Sequence, residues 1–186
     1  MNSKHLFFIT GLLCSIALHS AAPAPLPAEP ATENRIKAAY LLNFARFVTW
    51  PEAAFKNSVA PIVLCVLGED PIDSALPTIQ YKRVQNRPLE IRRIKSLGEL
   101  PSCHMLFVGK AAETSVQQIL SALGDRPVLT VSSLPGFSMK GGMLTFIESE
   151  NKIRFEVNLA TTRTAGLSIS SRLLKLARLV PQPTVR

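Results

Sequence analysis

Ile62-Val63-Leu64-Cys65-Val66-Leu67-Gly68 is an unbroken apolar run stopped by a glycine, and Glu69-Asp70-Pro71 follows it at once. A strand with no polar face is one buried on both sides, the pattern of a parallel sheet. Asp70 then offers an N-cap and Pro71 takes the first helical position, so the strand reads into a turn and a helix. The unit recurs. Met105-Leu106-Phe107-Val108 is a second buried strand, passing through Gly109-Lys110 to a helix near Thr114–Leu123 that Gly124-Asp125 stops, and Pro127–Ser132 begins another strand. Between the two units, Arg87–Ile94 alternates apolar and charged residues as a half-exposed edge strand does. Strands alternating with helices argue a parallel-type sheet with helices on its faces.

Upstream, Ile36, Tyr40, Phe44 and Phe47 recur at helical spacing, with Leu41 and Val48 on their flank. A helix is therefore predicted from an N-cap at Thr32 to Pro51, where proline pushes the preceding residue out of the helical region. Packing explains the aromatic stripe, and Trp50 at the helix exit is the aromatic placed for a surface role. Downstream, Gly141–Ile147 and Ile153–Asn158 alternate around the polar turn Glu148–Lys152, a hairpin signal. Leu167–Val180 contains a helix capped by Ser170 or Ser171, with Leu173, Leu174, Leu176 and Ala177 inward and Arg172, Lys175 and Arg178 outward. Pro181 and Pro183 close it. The fold class is α/β: a single domain whose mixed sheet is flanked by helices in Rossmann-like layers, with a C-terminal β-hairpin and a terminal helix.

Location is read from the other end of the chain. Lys4 and His5 lead into the apolar run Leu6–Leu18, and the small, proline-rich stretch Ser20–Pro25 follows. That is the anatomy of a secretory signal peptide, and the run is too short for a bilayer span of about 20 residues. Residues 1–28 are read as the signal peptide, cut between about Ala21 and Ala28, with an uncleaved anchor as the alternative. Residues 29–33 form a tether, 34–180 the domain and 181–186 a flexible tail. A lipid anchor fits poorly, because Leu12-Leu13 precede Cys14 where lipoprotein processing wants a small residue.

Export gives the remaining cysteines a meaning, since oxidising compartments favour disulfides. Cys65 lies in one strand run and Cys103 just before another, and two neighbouring strands would bring them within bridging reach. A structural disulfide is favoured over two buried free thiols. With 47% apolar and 18% charged residues the chain can bury a proper core, and its sparse charge leaves room for a partner to cover part of the surface. The net charge of +8 favours anionic neighbours such as lipid headgroups, although a solvated basic surface is the plainer reading. No basic run with interleaved aromatics points to nucleic acid.

Catalytic residues are expected to be none. His104 is the only histidine after the leader, Ser132-Ser133 lacks a Gly-x-Ser-x-Gly elbow, and Gly136 and Gly141-Gly142 match no phosphate loop or dinucleotide fingerprint. Glu69-Asp70 and Glu148/Glu150 sit in turns, where capping and solvation explain them. His104 stands beside Cys103 without a further ligand cluster, so no metal is expected. A parallel sheet does create a crevice at its carboxyl ends that could hold a small molecule.

The block Ile36–Pro51, the run Leu64–Gly68, the glycine pair Gly141-Gly142 with Met143 and Phe146, the string Phe155-Glu156-Val157-Asn158 and the closing Gly166–Ala177 together resemble the YfiR family of periplasmic proteins. The resemblance spans nearly the whole chain after the leader. It implies a periplasmic repressor that binds the periplasmic sensor domain of an inner-membrane diguanylate cyclase, lowering cyclic di-GMP and with it biofilm formation. It also implies a homodimer, an outer-membrane lipoprotein as a candidate antagonist, and no cofactor. Carried over by position, the partner surface falls on Leu144, Glu156, Leu159 and Thr162, with Thr162 polar where an aliphatic side chain would suit a docking patch. The family's bridge near the sheet matches Cys65 and Cys103, and a second bridge of some members has no cysteines here. The alternative is a small-molecule sensor or carrier working through the sheet-edge crevice.

Overall fold

The computed structural model describes residues 30–181; the signal-peptide reading lies outside them. The chain opens with helix α1 (Pro30–Phe47) and runs through strands β1 (Val48–Thr49), β2 (Ile62–Leu67), β3 (Arg83–Val84), β4 (Arg87–Ile94) and β5 (Met105–Val108). Helix α2 (Val116–Leu123), strands β6 (Leu129–Ser132), β7 (Leu144–Ser149) and β8 (Lys152–Val157), helix α3 (Leu159–Thr164), strand β9 (Ser168–Ile169), helix α4 (Ser171–Leu174) and strand β10 (Arg178–Leu179) complete it. The main sheet has the order β10-β8-β7-β6-β5-β2-β4-β3, and β1 with β9 makes a separate ribbon. From β4 through β2, β5 and β6 to β7 every pair is parallel; β7–β8 and β3–β4 are antiparallel hairpins. This is the mixed α/β sheet expected, with β3, β8 and β10 running against the rest.

A parallel sheet must be covered on both faces. On one face, Ala38, Leu41, Leu42, Phe44 and Ala45 of α1 pack on Ile62, Leu64, Met105, Phe107, Leu129, Leu144 and Phe155. On the other, Val116, Ile119 and Leu123 of α2 pack on Val63, Cys65, Leu106 and Val108. Phe44 lies at the centre of an aromatic cluster, its ring 5.0 Å from Phe155 and 5.6 Å from Phe146. Ile36, expected on that inward stripe, is exposed, because the true inward stripe passes through Ala38, Leu41 and Ala45.

The ends of several elements differ from expectation. Helix α1 begins at Pro30, so residues 30–33 of the expected tether are helical and Thr32 lies inside the helix. It ends at Phe47, ahead of Pro51, because Val48 and Thr49 pair with Ile169 and Ser168. Its last carbonyls are met by Gln85, whose Nε2 donates to Ala45 O, Arg46 O and Val48 O at 3.0, 3.2 and 2.8 Å, satisfying acceptors a helix end leaves orphaned. Asp70 is the N-cap expected, but it caps a 3-10 segment, Pro71–Ser74. The terminal helix shortens to the single turn α4, capped by Ser170 as expected, since the chain after Ala177 joins the sheet as β10. Leu176, expected inward, is 60% exposed.

Cys65 and Cys103 form a disulfide with Cα atoms 5.7 Å apart, 38 residues apart in sequence. Both are buried on the α2 face. Closing such a loop stabilises by about 4 kcal/mol in the chain-entropy model. A Cys65→Ala/Cys103→Ala variant should therefore lose roughly 2–4 kcal/mol in denaturant titration, with α1 packing intact by near-ultraviolet dichroism.

Candidate functional site

Two places answer to the functional expectations: the crevice at the carboxyl ends of the parallel strands, and the C-terminal edge of the sheet.

The crevice lies where the chain turns opposite ways from neighbouring strands. The segment after β2 packs Ile72, Ala75 and Leu76 on the α1 face, and the segment after β5 packs Ala112 and Val116 on the α2 face. Such a switch point is where open α/β sheets bind ligands. The open hollow there measures about 1070 Å³ and is lined by Gly68–Pro71, Asp73, Arg93–Leu97, Ser115, Gln118 and Ile119. The two loops meet backbone to backbone: a Cβ on Gly109 would sit 2.5 Å from the Gly68 carbonyl oxygen. Asp70 closes them further, its Oδ1 accepting from Ile72 N–H at 3.1 Å and its Oδ2 from Lys110 N–H at 3.1 Å. The protein's own carboxylate thus takes the amides at the head of the 110–123 segment, where a phosphate would otherwise bind. Asp73 is likewise engaged, with Arg93 at 2.9 Å.

At the C-terminal edge the four residues carried over from the resemblance do not share a surface. Register pairs Leu144 with Val157 and Thr145 with Glu156, so Leu144 and Glu156 occupy opposite faces. Leu144 is fully buried under α1, and Thr162 is 1% exposed, its Oγ1 donating to Asn158 O at 2.7 Å. Neither can touch a partner in this arrangement. The polar Thr162, unexpected on a docking patch, is explained by that internal bond. Leu159, first residue of α3, is half-buried against the α1-side core.

Glu156 is an internal clamp. Ser138 Oγ donates to its Oε2 at 2.9 Å, Arg178 Nε donates to its Oε1 at 2.9 Å, and the same guanidinium forms an ion pair with it. It therefore ties both the 133–142 loop and β10 to β8. Asn158 repeats the design, donating Nδ2–H to Ser138 O at 2.9 Å and capping α3 by accepting from Thr161 N–H at 3.1 Å. The segments this clamp ties down carry exposed apolar side chains: Leu176 and Leu179, at 60% and 50%, flank Arg178, and Met139, at 77%, follows Ser138. Sequence reading missed them. Met139 carries a visible signal, an apolar residue in a glycine-rich turn, whereas Leu176 was hidden by the helical spacing of its neighbours.

His104 is committed to structure. Val63 N–H donates to its Nδ1 at 3.1 Å, its Nε2 lies 3.0 Å from Ala54 O, and its backbone oxygen accepts from Trp50 Nε1 at 3.0 Å. Trp50 is 5% exposed and so has no surface role. Among the described residues no group of three or more His, Cys, Asp or Glu side chains is placed to hold a metal ion, and no helix is long and apolar enough to cross a membrane.

The described residues form three layers, with α1 and α2 on opposite faces of the sheet and a terminal strand clamped by Glu156. The model of the YfiR/HmsC-like family matches residues 34–178. The chain belongs to that family, whose members are periplasmic regulators. Among solved structures it is similar to a conserved domain protein from Vibrio cholerae, with a TM-score of 0.51 at 6% identity over 80% of this chain and 60% of that one. An ABC domain in complex with L-Trp from Streptococcus pneumonia aligns with a TM-score of 0.45 at 10% identity, over 63% of this chain and 55% of that one. The chain thus spans well under two thirds of either neighbour, and the first shows a shared fold alone.

The clamp makes an asymmetric prediction. Glu156→Ala leaves the fully buried Ser138 hydroxyl without its acceptor and should cost about 1–3 kcal/mol, whereas Arg178→Ala, on a side chain 66% exposed, should cost less than about 1 kcal/mol. Urea midpoints of the two variants check the order.

Proposed function

We propose that the protein binds the periplasmic sensor domain of an inner-membrane diguanylate cyclase and holds it inactive, lowering cyclic di-GMP and biofilm formation. The family match over residues 34–178 carries this reading. The docking surface we assign is the β10 edge. Leu179 shares a side of the sheet with Val157 by register, and Leu159 lies on that same side, with Leu176 exposed beside them. Exposed apolar side chains at an edge where Arg172 and Lys175 are also exposed suit an interface centre with a polar rim. Leu144, Glu156 and Thr162 support this edge from within: Leu144 and Thr162 fix the floor, and Glu156 holds β10 in place. The homodimer and an outer-membrane lipoprotein antagonist belong to the same proposal, as does export by the cleavable leader; nucleic acid has no part in it.

A second reading, a small-molecule sensor, is favoured by the volume of the switch-point crevice. Its ligand would have to enter beside Asp70 and Asp73 without displacing them, so nucleotides and phosphates fit it poorly.

Deleting the gene should raise cellular cyclic di-GMP. Leu179→Asp and Leu176→Asp, both at exposed positions, should shift stability by no more than about 0.5 kcal/mol and reproduce the deletion, with loss of cyclase in pull-downs. Full repression by the folded variants rejects this edge; an unchanged cyclic di-GMP level in the deletion strain, with the cyclase expressed, rejects the function.

A further inference from the structure

The segment from Pro51 to Ala60 crosses the amino ends of the central strands and is built largely of exposed residues. Two side chains pin it. Arg87 Nη1 donates to Asn57 O at 2.8 Å and Ala60 O at 2.7 Å, and His104 reaches Ala54 O. Phe55 is held between the same two, its ring stacked on the imidazole at 4.5 Å and 13°, with the guanidinium carbon 3.8 Å above its centroid.

The bonds fix the protonation state of His104. Val63 N–H can only donate, so Nδ1 must keep a lone pair, and the ring proton sits on Nε2, where it donates to Ala54 O. Adding a proton at Nδ1 sets two donors against each other. It also places a second cation beyond Phe55 from Arg87, in a half-buried site. Arg87 of β4 is the charged group that acts on the ring. Glu52, on the covering segment, lines the hollow shared by Phe55 and Arg87, Lys56 on that segment is exposed, and Cys103 is locked in its disulfide.

We propose that His104 is a proton-operated latch: the neutral imidazole holds the 51–60 segment against Val63 and the strand ends, and protonation releases it. The inference is independent of the docking surface. Burial, above all, pushes the His104 pKa below its ordinary value of 6.5, the Arg87 charge adds to this, and the Ala54 bond opposes it. The folded chain therefore holds fewer protons than the unfolded chain below pH 6.5. Closure is complete above that value and is lost as pH falls through the lowered folded pKa.

His104 is the only histidine in the described residues, so imidazole NMR reads it directly. The expected result is the Nε2–H tautomer at neutral pH and a midpoint below 6.5. Protection factors of the Phe55 and Val63 amides should fall by up to about tenfold per pH unit between 6.5 and that midpoint and level off below it, as one-proton coupling requires. His104→Gln, which keeps an acceptor and a donor without a charge change, should hold protection flat over the same range. Protection that persists through the imidazole titration, or an equal fall in His104→Gln, overturns the latch. Should His104→Gln fail to fold, the unaltered protein decides the matter: a fall in protection that levels off at the imidazole midpoint supports the latch, and protection that stays flat from 6.5 down to that midpoint overturns it.

Discussion

The packing of α1 across the central strands is the interaction on which the rest of the structure depends. Parallel strands buried on both faces cannot be left half-covered, and α1 is the one long helix available. Phe44 meets Phe146 and Phe155, and Tyr40 stands 5.5 Å from Phe155 while its hydroxyl donates to Ile153 O at 3.3 Å. The helix thereby joins the parallel half of the sheet to the antiparallel hairpin β7–β8. Truncating an aromatic so placed typically costs about 3–5 kcal/mol. The opposite face is covered by α2 and short 3-10 segments, and there the Cys65–Cys103 bridge supplies what a second long helix would have given.

The switch-point crevice shows why this fold, which elsewhere serves nucleotide chemistry, is here a scaffold. Glycines 68 and 109 let the two loops approach as a phosphate site requires, but the space is taken by Asp70. A carboxylate with two backbone amide donors is well satisfied where it is. Evicting it in favour of an external anion would leave that carboxylate beside a second negative charge, so this pair of amides serves rigidity rather than phosphate binding.

Much of this was legible in the sequence. The runs Ile62–Leu67 and Met105–Val108 have no polar face, so their burial followed from composition alone, and the Cys65–Cys103 pairing followed from their adjacency. The hairpin was equally plain, although its two turn residues, Glu150 and Asn151, both at positive φ, are not the glycine that such turns favour. What escaped was decided by long-range partners. Val48 and Thr49 leave the helix because β9 is there to pair with them, and Gln85, 37 residues from Val48, closes the helix end. The terminal helix failed in the same way: Leu176 and Ala177 keep helical spacing, yet Arg178 is drawn to Glu156. At the site, periodicity correctly set Glu156 opposite Phe155 and Val157 but could not say that Leu144 faces away from it, since that depends on the β7–β8 register.

Burial is unevenly spread across the sheet, and both proposed working segments lie where it is thinnest. The central strands bury nearly every side chain, so they can change only by unfolding. The margins are different: β10 is two exposed residues held by one clamp, and the 51–60 segment is exposed chain held by Arg87 and His104. Elements with few buried apolar contacts open at low cost without disturbing the core. A regulator must respond to a partner or to its surroundings while staying folded. Confining polar, breakable attachments to two edges of a rigid sheet satisfies both demands. Glu156 and His104 each bond a short marginal segment to the sheet, Glu156 holding β10 and the 133–142 loop and His104 holding the 51–60 segment.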